Sequence, residues 1–391
     1  MRFEYSTASR VIVGPGVREE IATVIAGNAG EPRVFKGRAL LVTGADADRA
    51  AWLRERLHDR QVSSELFRVA REPHVEDACR GAEHARDTGC RFVIGCGGGA
   101  ALDAAKAIAA LMTNPGDPLD YLEVVGRGLP LVALPAPFIA VPTTAGTGSE
   151  VTKNAVLAVP EERVKVSLRS ESMLPRLAVV DSELTHSAPP AVTASTGLDA
   201  LTHLIEAYLS HRANPVTDAL CGEGIRTASR ALRRAFRDGD DATAREEMSR
   251  VSLFGGMALA NAKLGAVHGF AGPAGGMFDA PHGCLCGRFL PYVLEANLRA
   301  LEERAAESPA LPRFREVAGW LTGDNSASAA AGVDWIQQTC REFAVPSLSA
   351  YGVSPTDLPD LVAKAQRASS MQGNPVVLSA NELLDAARQA L

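Results

Sequence analysis

Short apolar runs and helical stretches alternate along the first half of the chain. Each run is rich in aliphatic side chains and stops at a glycine, a proline or an aspartate, a pattern typical of buried strands. The runs that predict strands are 11–14, 39–44, 92–95, 138–141 and 177–180. Residues 51–60 and 100–111 lie between them, carry strong helix formers and are predicted to be helices. Strands that alternate with helices predict a parallel sheet covered on both faces.

The second half has a different pattern. From Thr193 onward the apolar runs are long, rich in alanine and leucine, and repeat with helical periodicity. We predict no strand after about residue 185. The paired prolines of 187–190 would stop both helix and strand, so a hinge is expected there. The sequence therefore predicts a Rossmann-like α/β domain over residues 1–185 and an all-helical domain over residues 186–391.

Composition limits the classes of function. The length of 391 residues suits two domains, and 46% apolar with 22% charged residues is typical of a soluble protein. A net charge of −6 argues against a nucleic-acid partner, and no apolar run is long enough to predict a membrane span. The N-terminus lacks the apolar core of a secretory signal. Seven cysteines, an odd number, then predict reduced thiols in the cytoplasm. Cys284 and Cys286 alone lack the other ligands of a zinc knuckle.

A glycine cluster, 95–103, follows a predicted strand and precedes a predicted helix. Glycines let backbone amides approach a pyrophosphate closely, and a helix N-terminus attracts negative charge. The cluster lacks the Gly-Lys-Ser/Thr of a Walker sequence and the usual G-x-G-x-x-G spacing. It predicts a phosphate-binding loop, and the alternative is a tight turn without a ligand.

A second polar loop, 142–150, follows another predicted strand and holds four hydroxyl side chains and two glycines. Ligands of open α/β sheets bind at the carboxyl ends of strands, so this loop strengthens the prediction of a cofactor site. A threonine-rich capping turn is the alternative interpretation.

Four residues of the second half have the chemistry of metal ligands. Asp199 and His203 are four apart, which puts them on one face of a helix. His268 and His282 lie in a glycine-rich stretch further on. One carboxylate and three imidazoles suit Fe(II) or Zn(II). An ordinary helical ion pair, with structural roles for the two later histidines, is the alternative.

These motifs together resemble the iron-dependent (group III) alcohol dehydrogenases, including their maleylacetate reductase branch. The family loop G-G-G-S-x-x-D-x-A-K corresponds to 97–106, and P-T-T-A-G-T-G-S-E-V-T occurs unchanged at 142–152. The family motif D-A-x-x-H matches 199–203, and its later histidines, fourteen apart, match His268 and His282. Lys165 and the terminal 371–375 also fit the family pattern.

The resemblance implies an N-terminal Rossmann-like domain, a helical metal-binding domain and the fold shared with dehydroquinate synthase. It also implies NAD or NADP in a cleft between the domains, Fe(II) or Zn(II) as a Lewis acid on the substrate oxygen, and a homo-oligomer such as a dimer. The implied metal ligands, which would be catalytic through the metal, are Asp199, His203, His268 and His282. The implied cofactor-binding residues are Gly44, Gly97, Gly98, Gly99, Asp103, Thr143, Thr144, Thr147, Ser149 and Lys165.

The chain departs from the family pattern at three positions. Ala100 replaces a serine that follows the glycines, and Gly44 replaces an aspartate that would bind the adenosine ribose and repel a 2′-phosphate. Gly272 stands where many relatives have a histidine thought to relay the alcohol proton. We expect an NAD(P)-linked alcohol or aldehyde oxidoreductase. The alternatives are enoate reduction of the maleylacetate reductase type and a lyase or hydrolase of the dehydroquinate-synthase-like fold.

Overall fold

The computed structural model describes residues 2–27 and 34–391, and these cluster into two compact units. An α/β unit contains 6–144 and 148–185, and a helical unit contains 186–391. Residues 145–147 and the N-terminal residues up to Tyr5 also cluster with the helical unit. The predicted fold class, a parallel-sheet domain followed by a helical domain, is confirmed.

Six parallel strands form the sheet of the α/β unit, in the order β1-β8-β5-β4-β2-β3. The strands of this unit are β1 (Val11–Val13), β2 (Arg38–Thr43), β3 (Ser64–Arg68), β4 (Cys90–Gly97), β5 (Phe138–Pro142), β6 (Asn154–Val159), β7 (Val164–Arg169) and β8 (Leu177–Val180). The five predicted strands correspond to β1, β2, β4, β5 and β8. All of the sheet is therefore built from short apolar runs, apart from β3, which the sequence analysis did not predict.

Helices cover both faces of this sheet, as predicted. They are α1 (Ile21–Ala26), α2 (Ala51–Asp59), α3 (Val75–Asp87) and α4 (Gly99–Thr113). Alternate residues of the strands point to opposite faces. Leu40 and Val42 accordingly join the core cluster under α3 and α4, whereas Leu41 joins the cluster under α1 and α2. Burial of both faces explains why the strands are apolar throughout.

The pair β6–β7 is an antiparallel hairpin outside the main sheet, and the sequence analysis did not predict it. Residues of β6 alternate between half-buried and buried, with Ala155, Leu157 and Val159 on the buried side. This period of two is that of a strand with one side against a core. The buried side joins the core cluster that contains α4.

The helical unit holds nine α-helices among the residues that the structure describes. They are α5 (Pro190–Leu209), α6 (Pro215–Arg237), α7 (Ala242–Ala262), α8 (Ala266–Phe278), α9 (His282–Arg304), α10 (Ala310–Thr322), α11 (Ala329–Glu342), α12 (Leu358–Arg367) and α13 (Ala380–Ala390). Helix α5 begins at the second proline of the predicted hinge and packs against α6, α7 and α9. No helix in the described part of the chain is long and apolar enough to cross a membrane.

Candidate active site

One face of helix α5 carries three buried polar side chains. Asp199, His203 and Glu206 are separated by four and then three residues, the spacing of one helical face. Each is no more than 5% exposed, although the rest of the helix packs into the largest apolar core of the protein. Buried polar groups are stable only when other polar groups or ions compensate them, so this face requires partners.

Two histidines of neighbouring helices supply those partners. His268 is the third residue of α8, and His282 is the first residue of α9. The Nε2 atoms of His268, His203 and His282 lie 3.3, 3.6 and 3.7 Å from Oδ1 of Asp199. The rings of His203 and His268 stack, with their centroids 4.6 Å apart. The structure therefore brings the four predicted ligands to one buried point of the helical unit.

The donor atoms fit a divalent cation. Within the described residues, no well-aligned donor makes a hydrogen bond to the buried Oδ1 of Asp199. Such an oxygen is costly unless a cation satisfies it. Tetrahedral ligands held 2.0–2.2 Å from a common Zn(II) lie about 3.3–3.6 Å apart, close to the separations found here. One carboxylate with three imidazoles suits Fe(II) or Zn(II), so the residues present fit the metal that the family motif implies.

Glu206 orients His268, and the sequence analysis missed this residue. Its Oε2 accepts a hydrogen bond of 2.6 Å from Nδ1 of His268, and its Oε1 accepts one of 2.7 Å from the backbone amide of Val267. An ionised carboxylate only accepts, so Nδ1 carries the proton and Nε2 of His268 is free to bind a cation. The spacing 199, 203, 206 along one helical face was the available signal.

The C-terminal motif 371–375 stabilises the start of the same helix. Oδ1 of Asn374 accepts a hydrogen bond from the amide of Ala266, the first residue of α8. A Cβ at Gly265 would lie 2.8 Å from this oxygen and 2.9 Å from Oε1 of Glu206, so only glycine allows both groups to approach. The motif thus fixes the helix turn that presents His268.

Cys286 also lies at this point. It is fully buried, and its Sγ lies 3.6 Å from Nε2 of both His268 and His282. The donor atoms of Asp199, His268, His282 and Cys286 all lie within 4.8 Å of one another. His203 is outside that set, so the tightest group of donors differs by one member from the predicted ligands. The sequence analysis considered Cys284 and Cys286 together as a zinc knuckle and rejected that role. Of the two, Cys286 belongs to this group of donors.

The electrostatics of the cluster match its geometry. Burial lowers the pKa of His203 to about 3, so this imidazole is neutral, the form that binds metals. Burial alone would lower the pKa of His268, but the Cys286 sulfur and the carboxylates of Asp199 and Glu206 outweigh it and raise that pKa well above its usual value. Burial would likewise raise the pKa of Asp199, but His203 and the other two imidazoles hold it below its ordinary value. A positive charge is therefore favoured among these groups.

Open space surrounds Gly272, the third position at which the chain departs from the family pattern. Gly272 lies one turn after His268 on α8, and so on the same face of that helix. A Cβ added at Gly272 meets no heavy atom of the described residues within 4 Å. A side chain at this position would therefore begin in open space among the described residues.

The predicted phosphate loop joins β4 to α4. Gly98 caps α4 without a side-chain hydrogen bond to the first amides of the helix. A Cβ at Gly97 would lie 2.6 Å from Cβ of Ala101, and one at Gly98 would lie 3.3 Å from Oγ1 of Thr144. The glycines therefore bring strand, helix and polar loop into close contact. Uncapped amides of a long helix behind a glycine turn fit a pyrophosphate.

Asp103 lies on α4 and holds the polar loop through its carboxylate. Its carboxylate accepts hydrogen bonds of 2.5 Å from Oγ of Ser149 and 3.0 Å from the amide of Val156. The buried ammonium of Lys106, another residue that the analysis did not select, donates to Ser149, Thr152 and Asn154. Asp103 and Ser149 thus anchor the polar loop to α4. The predicted roles of Asp103 on the pyrophosphate side and of Ser149 along the cofactor path stay predictions.

The remaining predicted cofactor residues are divided between the two compact units. Thr143 and Thr144 belong to the α/β unit, whereas Thr147 lies in the segment 145–147 that clusters with the helical unit. In that segment a Cβ at Gly146 would lie 2.5 Å from Cβ of Thr196 on α5, so only glycine allows the segment to approach α5 this closely. Nζ of Lys165 forms an ion pair of 3.0 Å with Glu72. Gly99 is the first residue of α4.

Gly44 follows β2, and a Cβ added there meets nothing within 4 Å. Two guanidinium groups lie nearby. Arg68 donates a hydrogen bond to the carbonyl of Ala45. The second is Arg49, which lies close enough to Cys96 on the adjacent β4 to act on its thiol. Burial raises the pKa of Cys96 to about 12, and the positive charge of Arg49 acts in the opposite direction. Gly44 therefore has room for another group, in a loop that carries the carboxylates of Asp46 and Asp48 as well as these guanidinium groups.

Comparisons with known proteins agree with this arrangement. Residues 8–182 match the family "Iron-containing alcohol dehydrogenase", and residues 193–391 match "Fe-containing alcohol dehydrogenase family, C-terminal". The 1,3-propanediol dehydrogenase of Citrobacter freundii is 35% identical over 360 residues, which are 91% of this chain and 89% of that relative.

Solved structures with the same fold include a 1,3-propanediol oxidoreductase, with a TM-score of 0.91, 31% identity and full coverage of both chains. Another is the sulfoacetaldehyde reductase of Bifidobacterium kashiwanohense in complex with NAD+, with a TM-score of 0.86 and 26% identity over 99% of this chain and 98% of that one.

Proposed function

The chain belongs to the iron-containing alcohol dehydrogenase family and is an oxidoreductase, and we propose that it transfers a hydride between NAD(P) and an alcohol or aldehyde. The observation that supports this most is the convergence of three imidazole Nε2 atoms on the unpartnered Oδ1 of Asp199. Relatives named alcohol and propanediol dehydrogenases favour this function over maleylacetate reduction and over lyase chemistry.

Each unit supplies one half of the proposed chemistry. When bound, a divalent cation supplies a Lewis acid for the substrate oxygen, and the nicotinamide accepts or donates the hydride. Asp199, His203, His268 and His282 hold the cation, and Glu206 keeps the proton of His268 on Nδ1. In the α/β unit, Gly97, Gly98 and the first amides of α4 cradle the pyrophosphate. Thr143, Thr144, Thr147 and Lys165 are proposed to contact the rest of the cofactor.

A substrate panel tests the reaction class. We expect alcohols to drive formation of reduced nicotinamide, and aldehydes to drive its consumption, in the presence of Fe(II) or Zn(II). Measurement of absorbance at the reduced-nicotinamide band, with maleylacetate as a comparison substrate, distinguishes the candidates. Turnover of maleylacetate without turnover of any alcohol or aldehyde would assign the chain to the enoate-reducing alternative.

We predict that NADP(H) is used and that Gly44→Asp shifts preference toward NAD(H). A carboxylate in the open space at Gly44 would repel a 2′-phosphate and accept the ribose hydroxyls. The ratio of kcat/KM for NADP to that for NAD should fall about tenfold, which corresponds to ~1.4 kcal/mol. Gly44→Asn, equal in size but uncharged, is the matched control. A wild type restricted to NAD(H) would show that another position sets cofactor choice.

We predict that Gly272→His narrows the substrate range toward small alcohols. The imidazole would occupy space that no described atom fills, one turn from His268. It should also add an ionisation near neutral pH to the profile of kcat/KM, and a positioned acid–base group contributes about 10²–10⁴-fold where it is used. Gly272→Phe fills the same space without a titrating group, so it should change only the size preference. An unchanged size preference and pH profile in both variants would contradict the prediction.

Cytoplasmic location and homo-oligomeric assembly stay predictions, and the four predicted ligands suit iron and zinc alike. All seven cysteines are free thiols, which supports a reducing compartment.

A further inference from the structure

We propose that the sulfur of Cys286 is a direct ligand of the metal in this centre, in addition to the aspartate and the histidines. The proposal rests on the metal centre of the proposed function, because it adds a donor to that same site. The metal would then be bound by oxygen, nitrogen and sulfur donors together.

Helix geometry places the sulfur there. Helix α9 begins at His282, so Cys286 is one turn further along and lies on the same face. Cys284, two residues away from each of them, is on a different face and is partly exposed. Cys286 is fully buried, and no change of backbone is needed to bring its sulfur to the cluster.

The distances suit ligation of a common ion. A sulfur at about 2.3 Å and an imidazole nitrogen at about 2.0–2.1 Å from one Zn(II) lie about 3.5 Å apart in a tetrahedral arrangement. Sγ of Cys286 lies 3.6 Å from Nε2 of His268 and 3.6 Å from Nε2 of His282. A thiol has one proton and can donate to only one of these nitrogens, so without an ion the other nitrogen must carry a proton and donate to the sulfur. An ion between the three atoms accounts for both equal distances with both nitrogens unprotonated, the state that metal binding requires.

A second observation points to the same position. Oδ1 of Asp199 is buried, has no well-aligned donor among the described residues, and lies within 4.8 Å of the sulfur. An anionic oxygen and a sulfur this close are compatible when a cation separates them. Ligation converts the thiol to a thiolate, and its proton leaves to solvent as the metal–sulfur bond forms.

The thiolate changes the properties of the centre. Two anionic ligands, Asp199 and Cys286, balance the two positive charges of the ion, whereas the aspartate and three neutral histidines leave one positive charge. A soft sulfur donor also favours Zn(II), Co(II) and Fe(II) over Mg(II) and Mn(II). We therefore expect this protein to discriminate against hard divalent ions.

Cobalt substitution tests the proposal without an activity assay. The purified chain is stripped with a chelator under anaerobic conditions and titrated with Co(II). Cobalt–thiolate bonds give an intense charge-transfer band in the near ultraviolet that nitrogen and oxygen ligands do not give. We expect this band in the wild type and in the matched control Cys284→Ser. Cys286→Ser should lack the band and bind Co(II) about tenfold more weakly or worse.

The other outcomes contradict either sulfur ligation or the metal centre itself. Stoichiometric Co(II) binding by the wild type without the band, or a band that persists in Cys286→Ser, contradicts sulfur ligation and leaves the proposed function standing. Absence of Co(II) binding by the wild type contradicts the proposed metal centre itself. X-ray absorption of the wild type loaded with Co(II) or Zn(II) answers the question even if Cys286→Ser does not fold. A sulfur scatterer at about 2.3 Å is expected, and a shell of nitrogen and oxygen alone would contradict the proposal.

Discussion

Replacement of Asp199 by alanine is expected to remove the bound metal and to lower kcat/KM for alcohol oxidation by at least about a hundredfold. Oδ1 of Asp199 is the common neighbour of three imidazole nitrogens, and no other carboxylate belongs to the tightest group of donors. A metal acting as a Lewis acid is worth several kcal/mol of transition-state stabilisation, and each ~1.36 kcal/mol corresponds to a factor of ten. Alanine is a good helix former, so α5 should persist.

The control for this variant is Asp334→Ala, which removes an exposed carboxylate from helix α11 of the same unit. Metal analysis, kcat/KM and circular dichroism are measured on both proteins. We expect the control to retain metal and turnover, and both variants to retain their helical signal. Unchanged metal content and turnover in Asp199→Ala would rule out its role as a ligand.

Glu206→Gln is expected to weaken metal affinity about 10–100-fold, as loss of a supporting hydrogen bond to a metal-binding histidine typically does. The amide can keep one oxygen on the backbone of α8 but presents an NH2 group to Nδ1 of His268. That contact favours the tautomer with the proton on Nε2, the nitrogen that should bind the ion. The variant is therefore predicted to lose affinity through the wrong tautomer and not through loss of the fold.

Competition with a chromophoric chelator measures this affinity, and thermal unfolding of the metal-free protein measures stability. Glu316→Gln is the matched control, since Glu316 accepts a hydrogen bond from Tyr208 in the same helical unit. A purely structural role for Glu206 would lower the stability of the metal-free protein and leave affinity per folded molecule unchanged.

The sequence predicted the parallel sheet because five of its six strands are short apolar runs that stop at a glycine, proline or aspartate. Strand β3 is half-buried, so its composition carries no such signal. In the hairpin β6–β7, strand β7 alternates apolar and polar residues, and a search for alternation over 164–169 would have found it. The fold class was assigned correctly although these three strands were not predicted.

The residues of the candidate site likewise fall into those that helical spacing predicts and those that depend on tertiary structure. Asp199 and His203 were found because one helix fixes their spacing, and extension of that face by one further turn predicts Glu206. Cys286 required knowledge that α9 begins at His282, which depends on how the chain packs after residue 278. Asp103 was predicted from its motif to lie on the pyrophosphate side of the cofactor, and this stays a prediction. Its hydrogen bonds to Ser149 and Val156 could not be predicted, because they depend on tertiary contacts that spacing does not encode.

Metal removal and return tests the central claim most directly. The wild type is stripped with a chelator, and Fe(II) or Zn(II) is titrated back while formation of reduced nicotinamide from an alcohol is recorded together with bound metal. The proposed function predicts that turnover is lost on stripping and returns in proportion to the ion bound, whereas Asp199→Ala regains neither. Full turnover by the metal-free wild type would contradict a metal-dependent hydride transfer at this centre.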